Sequence, residues 1–169
     1  GEETSALFPV GRLDLNSEGL LLITNDGELA DRLMSPRHHV TKEYLLRIRG
    51  VLTPKTIARL EAGMMLDGVK TRPLRVRIVG SGQNSWVKVS MQEGKKNQLR
   101  RMFKKVGHPV VRLKRVSIGN LELGDLEAVT AAKDANIAIL SKLVDEGWDI
   151  ITPIPSCTLM FKQELPLMF

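Results

Sequence analysis

The chain has 169 residues, 43% of them hydrophobic and 26% charged, and its 25 Lys+Arg against 19 Asp+Glu leave a formal net charge of +6. That composition is globular rather than disordered, and the length suffices for one core, or one core and a small appendage. No apolar run is long enough to span a bilayer and no secretory leader is expected. The single cysteine, Cys157, excludes an internal disulfide framework and a four-ligand Cys/His zinc set. The expectation is a protein of the reduced cytoplasm, without membrane contact and without a metal.

In chain order, residues 19–24 (GLLLIT) form a continuous apolar run that predicts a buried strand. Asn25-Asp26-Gly27 marks a turn and helix start, and Leu29 and Leu33 then lie one turn apart. Residues 42–49 (KEYLLRIR) read as a strand with Tyr44, Leu46 and Ile48 on one face. Thr53 is a cap and Pro54 loses no hydrogen bond in a first turn, so a helix begins there, with Ile57, Leu60 and Met64 at helical spacing. Met64 and Met65 read as core filler. Residues 74–79 and 86–91 alternate as the strands of a hairpin around Gly80-Ser81-Gly82.

The charge is unevenly spread. Residues 95–115 carry nine Lys/Arg and no acid, more than the surplus of the whole chain. Leu99, Met102, Phe103 and Val106 make an apolar helix stripe, which leaves Arg100, Arg101, Lys104 and Lys105 on the flanks and outer face. Gly107-His108-Pro109 ends the helix, with His108 as a turn residue. Residues 110–118 return as a strand bearing Arg112, Lys114 and Arg115. A helix–turn–strand unit with charges around one sheet edge is a cradle for a phosphate backbone, so nucleic acid is the expected partner. With only 4% aromatic residues, an extensive base-stacking platform is not expected.

Several blocks then agree in order with one family. PVGRLDLNSEGLLLITNDG at 9–27, the Lys42-Glu43-Tyr44 strand, EGKKNQLRRM at 93–102, Gly107-His108-Pro109-Val110 and the strand from Arg112 to Val116 followed by Ile118-Gly119 are present. Together they resemble the bacterial ribosomal RNA pseudouridine synthases related to the small-subunit enzyme, over about residues 8–126. The resemblance implies isomerisation of uridine to pseudouridine in ribosomal RNA, the large subunit being favoured, with no cofactor. It implies Asp14, in Gly11-Arg12-Leu13-Asp14, as the catalytic carboxylate, either a nucleophile at the sugar or a base removing a ribose proton. Tyr44 would lie against the base, Arg100 would pair with Asp14, and Leu99 would wall the uracil pocket. A uridine inside a helix has to be extruded, and Arg12 would fill the vacated stack with its planar guanidinium. Arg101, Lys104, Lys105, Arg112, Lys114 and Arg115 complete the expected RNA contacts. Without the resemblance, Asp14 would read as a turn carboxylate, Tyr44 as a half-buried strand aromatic and Arg100 as a surface arginine.

The fold implied is α+β: a mixed, mainly antiparallel sheet with flanking helices near 27–34, 54–64 and 97–106, and a cleft lined by Asp14, Tyr44 and Arg100. Residues 1–126 form the catalytic domain. The family has an Asn-Lys-Pro strand and often a small RNA-binding domain before the GRLD block. The expectation is therefore a fragment, or a sheet completed by another copy, where the full enzyme is a monomer. Residues 127–169 form an appendage with a helix stripe at Ile137, Leu140, Leu143 and Val144 and a strand at 149–154. Residues 136–169 resemble part of the cysteine-rich domain of heterodisulfide reductase and anaerobic glycerol-3-phosphate dehydrogenase subunits, but one thiol cannot ligate a cluster. The alternatives to an enzyme are a noncatalytic RNA-binding module and, third, an iron–sulfur fragment.

Overall fold

In the computed structural model, residues 7–123 are described; the appendage expected over 127–169 lies outside them. In chain order the elements are β1 (Phe8–Pro9), β2 (Glu18–Gly19), β3 (Ile23–Thr24), α1 (Gly27–Met34), a 3-10 turn (Pro36–His38), β4 (Lys42–Arg49) and α2 (Pro54–Glu61). There follow β5 (Met65–Leu66), β6 (Val69–Lys70), β7 (Arg75–Gly80), β8 (Asn84–Met91), α3 (Gln98–Lys105), β9 (Val110–Ile118) and β10 (Leu121–Glu122). The class is α+β, as the sequence predicts. Six strands form one sheet in the order β10-β9-β4-β8-β7, and β2 joins β9 as its sole parallel pairing with a named strand among the described residues.

Period-two patterning decides which side of the sheet is dry. Leu46 and Ile48 of β4, Val87 and Val89 of β8, and Leu113 of β9 point to one face and are buried. Against them pack Leu60 of α2 and Leu99, Met102 and Phe103 of α3, which is the apolar stripe expected of that helix. Thr53 caps α2 by accepting from the Thr56 amide at 3.2 Å, and Asp26 caps α1 by accepting from the Leu29 amide at 3.0 Å.

The apolar run at 19–24 is not one strand. Gly19 has φ +105°, and a Cβ there would sit 2.1 Å from the Arg115 carbonyl oxygen, so only glycine admits β9 this closely. The chain bends there. The Leu20 amide still donates to the Arg115 carbonyl at 2.9 Å, but the Leu22 carbonyl accepts from Val10, so pairing passes from β9 to β1. Three smaller expectations also change. Leu29 is exposed at 44%, because Ala30 is the residue that α1 buries. Only Met64 of the methionine pair is in the core, since Met65 lies in the surface hairpin β5–β6. The helix expected over 54–64 stops at Glu61, and Gly63 follows in the left-handed region at φ +75°.

Candidate active site

At the Lys42 end of β4 the core face opens into a cleft of about 650 Å³. Its walls come chiefly from the loop Val10–Asp14 with Ser17, the end of α1 (Leu33 and Met34), the start of β4 (Lys42 and Tyr44), the turn before α3 (Gln92–Lys96, then Gln98 and Leu99), and β9 (Leu113, Arg115 and Ile118). Leu13 and Leu21 are buried together, so the loop that carries Asp14 is anchored by its own apolar neighbours. The Ser17 amide donates to the Asp14 carbonyl at 2.8 Å and tightens the turn.

The Asp14 carboxylate accepts from the Asn97 amide, at 3.2 Å to Oδ2 and 3.4 Å to Oδ1. Asn97 is the left-handed residue at the N-terminus of α3, so the positive end of that helix faces the carboxylate. This corrects the expected Asp14–Arg100 pair. Arg100 lies one residue into α3 past Leu99, and its guanidinium donates to the carbonyls of Asn16 and Val110 instead. It ties the Asp14 loop to β9 and does not line the cleft.

Arg115 is the arginine inside the cleft. It lies directly opposite Tyr44 in the β4–β9 register, and only 4% of it is exposed. Its Nε donates to the Leu20 carbonyl at 2.7 Å, while its Nη2 is buried without a protein partner. Ser17 Oγ, also on the cleft wall, is buried and unpartnered as well. Burial raises the pKa of the Tyr44 phenol; Arg115 opposes the rise and the nearby Asp14 charge adds to it, so the phenol is neutral at neutral pH. Lys42 has its pKa lowered, first by burial and then by repulsion from Arg115. Arg12, Arg72, Lys95 and Lys96 lie exposed around the mouth, Arg72 bonded to His39 Nδ1 at 2.8 Å.

The residues expected to contact RNA therefore divide. Arg12, Leu99 and Arg115 line the cleft with Asp14 and Tyr44. Arg101 and Lys105 face the β5–β6 hairpin, pairing with Asp67 and the Met65 carbonyl, and Lys104 is exposed on α3. Arg112 and Lys114 register with Arg47 and Leu45 on the other side of the sheet from Leu113 and Arg115. The single cradle expected from residues 95–115 is thus three surfaces, because a helix and a strand each scatter consecutive charges over opposite faces. Lys42 and Arg72 escaped sequence reasoning; Lys42 could have been found from its parity with Tyr44. Among the described residues, no group of three or more His, Cys, Asp or Glu side chains could hold a metal ion. No helix among them is long and apolar enough to cross a membrane.

This architecture, with a carboxylate loop and a tyrosine strand meeting over one cleft, matches a known class. The RNA pseudouridylate synthase family model matches residues 1–105, and the chain belongs to that family. It is 44% identical over 121 residues to an uncharacterized RNA pseudouridine synthase of Aquifex aeolicus, covering 71% of this chain and 49% of the relative. It is 34% identical over 149 residues to ribosomal large subunit pseudouridine synthase B of Bacillus subtilis, covering 83% of this chain and 60% of the relative. A crystal structure of a pseudouridylate synthase superposes with a TM-score of 0.65 at 34% identity, over 69% of this chain and 50% of that one. The chain spans about half the length of the relatives it matches.

Proposed function

We propose that the chain isomerises a uridine of ribosomal RNA to pseudouridine, with Asp14 as the catalytic carboxylate and no cofactor. The observation that carries this reading is the placement of Asp14 in the cleft, its carboxylate held only by one backbone amide among the described residues and facing the Tyr44 and Arg115 side. An extruded uridine reaches Asp14, which attacks the sugar or takes a ribose proton. The C–N glycosidic bond breaks, the freed uracil turns, and a C–C bond forms to the same sugar carbon. The proton displaced from the ring carbon is balanced by one gained at the former glycosidic nitrogen, so no oxidant or reductant is consumed.

Tyr44, kept neutral by burial, lies against the base and can relay a proton. Arg115 Nη2 and Ser17 Oγ are the buried donors that an inserted nucleotide satisfies, and an unmade hydrogen bond of this kind costs about 1–3 kcal/mol. Leu99 and Leu113 wall the base. Arg12 at the mouth enters the gap left in the RNA stack, and Arg72, Lys95 and Lys96 hold flanking phosphates. The Bacillus subtilis relative favours the large subunit as the source of the RNA, and we place the reaction in the cytoplasm.

The test is release of tritium from ribosomal RNA labelled at the uracil carbon that loses its proton. The 169-residue chain should release tritium in a time- and enzyme-dependent way. Salt-dependent binding of the RNA with no release above background would reduce the chain to a binding module and defeat this reading.

A further inference from the structure

The side of the sheet turned away from the cleft carries its own charge pattern. Strand alternation places Arg47 and Arg49 of β4, Arg75 and Arg77 of β7, Lys88 of β8, and Arg112 and Lys114 of β9 on that face. The helices α2 and α3 pack on the opposite side, so neither covers it. Three carboxylates share the face: Glu43 is engaged with Lys88 at 2.6 Å and Glu18 with Arg112 at 2.7 Å, while Glu122, placed there by its register with Ser117 opposite Glu43, is exposed. Arg47, Arg49, Arg75, Arg77 and Lys114 have no carboxylate partner among the described residues.

The register makes this arrangement costly. Arg47 lies directly opposite Arg112, and Arg77 directly opposite Lys88. Like charges in directly opposed positions destabilise a sheet, and a face that only had to stay wet would alternate signs across its strands. Glu43 and Glu18 relieve Lys88 and Arg112, but seven cations against three acids leave a surplus of four that a polyanion neutralises at once. The cations are spread over four neighbouring strands, β9, β4, β8 and β7, which suits an array of phosphates. Its aromatic, Trp86, is half-buried with the Arg47 guanidinium 5.9 Å from the ring centre, so it offers no run of stacking rings for splayed bases. Double-helical RNA is recognised mainly through phosphates and shape, which is what this face can read.

We propose that this face is a second RNA-docking surface that takes the phosphates of a double-helical segment of the same RNA whose target nucleotide enters the cleft. The inference rests on the RNA-modifying reading above and adds to it a contact on the far side of the sheet. It makes the chain a two-sided RNA binder, with the base chosen on one face and the RNA held from the other.

The experiment compares the 169-residue chain with its Arg47→Gln, Arg75→Gln, Arg77→Gln variant, and with a variant carrying lysine at the same three positions. Three probes are used: a folded large-subunit ribosomal RNA transcript, a short single-stranded oligouridine that can occupy only the cleft, and phosphatidylserine vesicles. The glutamine variant should bind the transcript roughly tenfold or more weakly at low salt. Its slope of log affinity against log salt should be shallower by about 0.7–0.9 for each phosphate that the protein no longer neutralises. Oligouridine binding should be unchanged, the lysine variant should keep the parent slope, and the thermal midpoint of the glutamine variant should equal or exceed the parent's. Equal transcript affinity for parent and glutamine variant overturns the proposal. So does an equal loss for oligouridine, which would mean a general field effect, or a loss confined to vesicles, which would mean a membrane-facing surface. The affinities do not depend on turnover: a chain that docks the transcript through this face but forms no pseudouridine defeats the functional reading and leaves the docking surface standing.

Discussion

β4 shows both environments within eight residues. Towards the cleft and core it presents Lys42, Tyr44, Leu46 and Ile48, the last two wholly buried; towards the other side it presents Glu43, Leu45, Arg47 and Arg49, with both arginines exposed. On the first face the cations are few and enclosed, and each has a specific neighbour: Arg115 opposite Tyr44, Lys42 repelled by Arg115. On the second they are many, exposed and mutually opposed. The difference separates two uses of positive charge. On the proposed reading, the enclosed cations position one nucleotide, whereas the exposed array takes a polyanion without reading its sequence.

The contrast sharpens first through stability. Phe103→Ala removes a wholly buried ring from the core face and should cost about 3–5 kcal/mol, whereas Arg77→Ala on the open face should stay within about 0.5 kcal/mol of the parent. Urea unfolding of both variants checks this, and a large loss for Arg77→Ala would show that the open face is packed against something. Gly19→Ala comes next. A Cβ there meets the Arg115 backbone in a left-handed conformation, and a loss of about 3 kcal/mol is expected, with β2 sprung from β9 and Arg115 released from the Leu20 carbonyl. A Gly19→Ala protein with the parent's unfolding midpoint would contradict that close approach.

Lys42→Met carries the smallest effect. The folded-state pKa of Lys42 is depressed, so its charge weakens the fold at every pH below that value. The penalty fades as pH rises through the folded pKa towards the ordinary 10.5. The methionine variant should therefore gain a little in Tm at neutral pH, under about 2 °C because water screens a half-buried amine, and lose its advantage on the alkaline side. An advantage that grows with alkalinity would mean that burial and Arg115 do not lower the Lys42 pKa.

The elements that pack by simple periodicity were legible in the chain. The stripe Leu99, Met102, Phe103, the alternation of β4 and β8, the Thr53 cap and the helix start at Asn25-Asp26-Gly27 all stand where their spacing puts them. What sequence could not show was the division of neighbouring charges between faces brought about by register. Lys114 and Arg115 are adjacent in the chain and on opposite sides of the sheet, and the bulge between Glu43 and Tyr44 is what sets Arg115 against Tyr44. Arg100 does not meet Asp14 for a different reason. The counter-charge of Asp14 is a helix N-terminus, a backbone feature that no residue type announces. The split of residues 19–24 into β2 and β3 depended on Gly19, whose close neighbour, the Arg115 backbone, lies far along the chain.

Asp14→Asn tests the central claim most directly. The amide is nearly isosteric and Asn97 can still donate to its carbonyl oxygen, so the fold and the RNA contacts should persist. It is neither a carboxylate nucleophile nor a base. Pseudouridine yield in ribosomal RNA should fall by orders of magnitude while RNA affinity stays within a few-fold of the parent, and Glu18→Gln and Asp26→Asn, whose carboxylates lie outside the cleft walls, should keep near-parent yield. A variant lacking the Asp14 carboxylate that still turns over at the parent rate would contradict the account.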